Sequence, residues 1–327
     1  MDDKLRKKQI RRDFGRQGWA LLIYYGILNL FVLVVIAIDS VLKNIGAFLE
    51  YGPEVDPDIL DRIVADSTSG NAWGYFLAAG VGFFILWIWK GTDFTFRKMY
   101  TKGKPMKFKD LMAVLCIFMT AQLLFQIVST IIELILNLFG LSAMAALEAA
   151  TLNGVDTFSM FLYAGLLAPI AEEILFRGLI LRNLLPYGKK IAIFVSALLF
   201  GLFHGNIVQS PFAFAVGLVL GYVTVEYNIV WAMALHMFNN LIISDMLTRL
   251  TYDMHTIVAG LIQSAVIYGF AIEGIVVAIV RRKEIGTYFR REPMNRYYLK
   301  CCFSSAGMIV LTVVMMLSML FSITVMY

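Results

Sequence analysis

Nine stretches of nearly unbroken apolar residues run along this chain, and they constrain its fold more than any other feature. They cover roughly 18–39, 72–90, 110–138, 158–181, 190–204, 210–226, 229–247, 257–280 and 303–326. A bilayer core of about 30 Å calls for about 20 apolar residues per helix. Helices are the spanning elements that satisfy their own backbone without water. The expected fold is therefore an all-α, polytopic transmembrane bundle of about nine spans. Of the 327 residues, 60% are hydrophobic and 16% charged; soluble domains average about 45–50% and about 25%. A soluble fold of this size could not hide that much apolar surface, and a disordered or collagen-like chain is excluded.

The charges between the stretches set the orientation. The formal net charge is +5, but the basic residues sit in short segments between apolar runs, which argues for cytoplasmic loops and not for nucleic acid. Such segments are 4–16, 90–109, 182–190 and 281–300. The segment 40–71 is instead acidic, with Glu50, Glu54, Asp56, Asp58, Asp61 and Asp66. The expectation is a cytoplasmic N-terminus, an external C-terminus and a retained signal anchor as the first span. Cys116, Cys301 and Cys302 have no framework spacing, so neither disulfides nor a cysteine zinc site is expected.

Ionisable residues at membrane depth cost at least about 2.5–3.5 kcal/mol each on insertion scales and mark candidate sites. Three clusters stand out. In the fourth stretch, Glu172 and Glu173 are adjacent, and Arg177 lies four residues after Glu173 on the same helix face. Glu172 lies about 100° round the helix and can face another cavity as a general base; the competing reading is a charge cluster at a cytoplasmic helix end. Pro169 frees a nearby carbonyl. His204 closes the fifth stretch, either as a site residue or as an interfacial histidine. In the seventh stretch, His236 and Asn240 share a face and could bind a metal, stabilise an oxyanion or form an interhelical clamp. Glu133 and Glu273 read as structural carboxylates, and His255 as a solvated loop residue.

These residues form Glu-Glu-x-x-x-Arg (Glu172, Glu173, Arg177), Phe-x-x-x-His (Phe200, His204) and His-x-x-x-Asn (His236, Asn240), in that order. The set resembles the CPBP family, which comprises the CAAX prenyl proteases of type II, bacteriocin-processing enzymes and Abi proteins. The resemblance covers about 158–247. It implies a catalytic core there, with N-terminal spans and an acidic external loop in 1–157 and C-terminal spans in 248–327. The implied activity is that of an intramembrane endopeptidase. Glu172 would activate water, His204 would help hold it, and His236 and Asn240 would stabilise the oxyanion or bind metal. Glu173 and Arg177 would be a supporting pair. The family is labelled metallo or glutamate-dependent, so the cofactor is either zinc, held by Glu172, His204 and His236, or none. The metal-free version is favoured, because no His-Glu-x-x-His helix is present. The implied partners are the bilayer and a membrane peptide or a prenylated or otherwise lipidated protein, and the implied location is the plasma membrane of a prokaryote. Two other readings stand beside this one. The first is a non-catalytic binding or bacteriocin-immunity protein of the same fold. The second is a proton-coupled transporter, against which the lack of an inverted repeat argues.

Overall fold

The computed structural model describes residues 3–52, 56, 58–60, 62–63, 72–90, 99–143, 157–291 and 294–325. Much of the expected acidic loop, including Glu54, Asp61 and Asp66, lies outside the described residues, as do Arg97 and Lys98.

Apolar helices build the molecule. Helix α1 (Asp3–Tyr51) is followed by α2 (Trp73–Lys90) and α3 (Phe108–Asn137). Helix α4 occupies 158–184 as successive α and π segments. Then come α5 (Lys189–Phe203), α6 (Gln209–Glu226), α7 (Ile229–Thr251) and α8 (Thr256–Val280). The last helices are α9 (Arg282–Arg291), α10 (Arg296–Phe303) and α11 (Ala306–Phe321). Two short strands, β1 (Leu141–Ser142) and β2 (Thr324–Val325), pair antiparallel and tie the end of α11 to the end of α3.

Among the described residues, four helices are long and apolar enough to cross a membrane: α1, α3, α7 and α8. The α10–α11 pair would make a fifth, bent by 67°. The bend falls at Ser304–Ser305, where the Ser305 hydroxyl donates to the Cys302 carbonyl at 2.8 Å. The expectation of about nine spans is thus not confirmed. Between 158 and 226 the apolar stretches become α4, broken into α and π segments, and the short helices α5 and α6. Helix α5 has 15 residues, about 22 Å long. These helices surround polar side chains, while α1, α3 and α8 carry rows of exposed Leu, Ile, Val and Phe suited to lipid. The chain is an integral membrane protein.

The basic segments gather at one end of the bundle. Lys104 and Lys189 pair with Glu226 at 2.7 and 3.3 Å, and Arg281 pairs with Asp110 at 3.3 Å. The Glu226 carboxylate holds the Lys104 ammonium above its ordinary range. Tyr187 donates to Asp13 at 2.6 Å, and Arg11 donates to the Ser304 carbonyl. Burial and then the Asp13 bond raise the Tyr187 phenol above its usual range. At the opposite end, Glu133 accepts from the Ser142 hydroxyl at 2.6 Å and the Ala143 N–H at 3.1 Å, which organises β1. Its structural reading holds. Glu273 likewise accepts from Cys116 Sγ at 3.5 Å, and all three cysteines are free and buried.

Helix α1 docks on α11 through glycines. A Cβ on Gly18 would lie 2.8 Å from Met308 N and closer still to the Gly307 carbonyl, so the backbones touch where side chains would stand. Gly26, on the same helix, has nothing within 4 Å of such a Cβ. Gly18→Ala should lower the melting temperature in detergent by the equivalent of about 1–3 kcal/mol, the usual cost of overpacking. Gly26→Ala should not lower it. Equal melting of the two variants would contradict the glycine contact.

Candidate active site

The site is centred on α4, where an α-helical segment (Ala168–Glu173) stands between two π segments (Tyr163–Leu167 and Ile174–Leu181). A π turn inserts an extra residue, rotates the side chains after it and frees backbone groups, which is why such turns concentrate at functional sites. Here the Ser196 hydroxyl of α5 donates to the Phe176 carbonyl at 2.8 Å.

Glu173 and Arg177 are fully buried and bonded to each other, with Nη1 2.8 Å from Oε1. Arg177 Nη2 also donates to the Gly217 carbonyl of α6 at 3.4 Å. The Phe200 ring of α5 covers the guanidinium, 4.4 Å from carbon to centroid. The same Glu173 oxygen faces His236 Nδ1 at 2.9 Å. A carboxylate can only accept, so Nδ1 carries the proton and Nε2 is the nitrogen turned outward. Nε2 lies 3.6 Å from Glu172 Oε2, beyond a direct hydrogen bond. The Glu172 side chain is 27% exposed, unlike its buried neighbour. The two glutamates therefore have different surroundings: one sealed among cations, the other open. Tyr24 of α1 and Tyr163 of α4 lie within electrostatic range of Glu172.

Asn240 is half-buried and donates to the Ala164 carbonyl at 3.2 Å. It accepts from Asn239 at 3.1 Å. His204 caps α5, its Nδ1 2.9 Å from the Phe200 carbonyl, so that nitrogen donates and Nε2 is left as an acceptor. The following Gly205 has φ +60, which ends the helix just there. The His204 and His236 rings both meet Phe200 edge-on, with centroids at 4.9 and 5.7 Å.

The structure thus joins Glu172, Glu173, Arg177 and His236 in one chain of contacts and puts Asn240 beside it. No ion pair joins His204 to either glutamate among the described residues. Among the described residues no group of three or more His, Cys, Asp or Glu side chains is arranged to hold a metal ion. His204 and His236 each donate Nδ1–H to an oxygen and keep Nε2 free, and Glu173 Oε1 is shared by Arg177 and His236. Residues missed at the sequence level are Asn239, 4% exposed, and Gln122 of α3, which donates to Asn239 Oδ1 at 2.7 Å. Both are uncharged amides inside apolar runs, and that polarity was the available signal.

An all-helical membrane protein with paired glutamates, an arginine and a histidine buried among its helices is the class this site defines. Residues 154–242 match the family described as type II CAAX prenyl endopeptidase Rce1-like. No curated protein and no solved structure matches the chain.

Arg177→Ala would leave Glu173 buried without its cation, a loss that typically costs about 3–5 kcal/mol. The expected result is a reduced yield of monodisperse protein in detergent, seen by size-exclusion chromatography, with a parallel loss of activity. Full yield with no activity would instead put Arg177 in direct contact with substrate.

Proposed function

We propose that this protein is an intramembrane endopeptidase that cleaves a membrane-anchored peptide, with prenylated protein tails as its substrate class. The observation that carries the reading is the asymmetry of the two glutamates. Glu173 is neutralised by Arg177 and by the His236 N–H, which leaves Glu172 open beside the other nitrogen of the same imidazole. The domain match at 154–242 supports the peptide-cleaving class.

In the proposed step Glu172 takes a proton from water, and the water oxygen attacks the scissile carbonyl carbon. His204, with Nε2 free as an acceptor, helps hold that water. The negative charge on the carbonyl oxygen is met by the Asn240 amide; His236 Nε2, an acceptor in this tautomer, cannot donate to it and faces Glu172 instead. When the C–N bond breaks, the proton on Glu172 passes to the leaving nitrogen. Glu173 and Arg177 fix the tautomer and position of His236 and stay outside the bond changes. No step passes through a metal. Residues 158–247 form the proposed catalytic core, and 1–157 and 248–327 house it in the bilayer.

General-base removal typically lowers a rate by about 10²–10⁴. Glu172→Gln should fold as well as the unmodified protein and cleave a farnesylated CAAX-tailed fluorogenic peptide in proteoliposomes at least that much more slowly. His204→Ala should also be slow. Cleavage by the Glu172 variant at the unmodified rate would overturn the mechanism.

The orientation is part of the reading. The contacts of 11 with 304, 13 with 187, and 104 with 226 gather the basic segments at one end, and β1–β2 lies at the other. The positive-inside rule then gives a cytoplasmic N-terminus and an external C-terminus. Reporter fusions at the two ends should respond from opposite sides of the membrane; a response from one side would refute the assignment.

A further inference from the structure

The amides at the site form a directed chain that begins outside residues 154–242. In the first π segment of α4, the Ala168 N–H donates back to the Tyr163 carbonyl. In that register the next carbonyl, that of Ala164, would take the N–H of residue 169, which is a proline and has none. Asn240 Nδ2 donates to the Ala164 oxygen at 3.2 Å. A carbonyl only accepts, so this contact settles which way round the Asn240 amide lies. Its Oδ1 then needs a donor, and Asn239 Nδ2 supplies one at 3.1 Å. That turns Asn239 Oδ1 toward α3, where Gln122 Nε2 donates at 2.7 Å. The chain has one sense from Gln122 to Ala164, and Asn239 is 4% exposed, so water does not readily replace the glutamine.

We propose that Gln122 is a positioning residue for the Asn240 amide. Asn240 Nδ2 has two hydrogens. One is committed to Ala164, and the chain that Gln122 starts holds the other in a fixed direction, where it can meet the developing oxyanion. This role rests on the endopeptidase reading above; the amide chain itself does not.

A double-mutant cycle tests both parts. Gln122→Met removes the donor at similar length, Asn240→Ala removes the group it positions, and the fourth protein carries both changes. With the farnesylated CAAX-tailed peptide, Gln122→Met should lower kcat about ten-fold or more with little change in KM. It should add almost nothing once Asn240 is gone. Fully additive losses overturn the positioning role. Melting of the same four proteins in detergent should also be non-additive; additive shifts overturn the chain, whether or not cleavage is seen. Gln122→Glu gives a further readout. A protonated carboxyl can donate to Asn239 as the amide does, and an ionised one cannot. Activity relative to the unmodified protein should therefore fall as pH rises, and a flat ratio contradicts the proposal. If the unmodified protein does not cleave and Glu172→Gln changes nothing, the endopeptidase reading fails and catalytic positioning falls with it. The melting cycle then still decides for or against the chain.

Discussion

A carboxylate and a guanidinium sealed from solvent at membrane depth place the strictest demand on this molecule. Burying either charge alone would cost several kcal/mol, and their attraction offsets that only if the geometry is good and the remaining polar atoms are engaged. Glu173 and Arg177 meet at 2.8 Å on successive turns of one helix, so the pair itself needs only local structure. The surroundings do not. Helix α6 supplies the Gly217 carbonyl, α5 the Phe200 ring, and α7 the His236 N–H. Helices α4 to α7 therefore share one contact point, and the charge pair determines where they converge. Glu173 Oε1 is then occupied, while Glu173 Oε2 and Arg177 Nε are buried without a hydrogen-bond partner; the more open carboxylate is that of the residue before.

Irregular backbone provides the rest of the placement. Residues 168–173 are the α-helical part of α4 between its two π segments, and another π segment, Phe238–Met246, holds Asn239 and Asn240. Irregular backbone at this depth is tolerable only where protein groups satisfy what it frees. Ser196 answers Phe176, and Asn240 answers Ala164. The amide of Asn240 thus has a local structural role and is, for that reason, held in one orientation beside the glutamates. The polar groups that repair the helices are the same groups that line the site.

Much of this was legible from spacing. The four-residue interval between Glu173 and Arg177 anticipates their pairing, and adjacency puts Glu172 on another face. Pro169 signals a freed carbonyl nearby, but which one was not legible: a regular helix would free that of Gly165, and the π register frees that of Ala164. The span count was not legible, because hydropathy measures how apolar a stretch is, and the helices between 158 and 226 are apolar for a different reason. They pack around charges, whereas α1, α3 and α8 face outward. Nor could periodicity show the π segments, since 3.6-residue spacing assumes the regular helix they interrupt. His204 illustrates the limit. Its spacing from Phe200 was plain, but only the fold shows that its Nδ1 goes to the Phe200 carbonyl, which leaves Nε2 for other partners.

The segment matched to a known family holds the charges but does not enclose them. Tyr24 comes from α1 and Gln122 from α3, both outside 154–242, and each reaches the polar centre. Helix α1 is anchored in turn at Asp13 to Tyr187, at Arg11 to Ser304, and by Gly15 and Gly18 against Gly307. The same polar centre in a relative with different flanking helices would keep its charge pairing, because that depends on α4 to α7. It would lose Tyr24 and the Gln122 donor, because those come from α1 and α3. The flanking helices are thus the part of this architecture in which access to Glu172 and the aim of Asn240 can vary while the buried ion pair stays as it is.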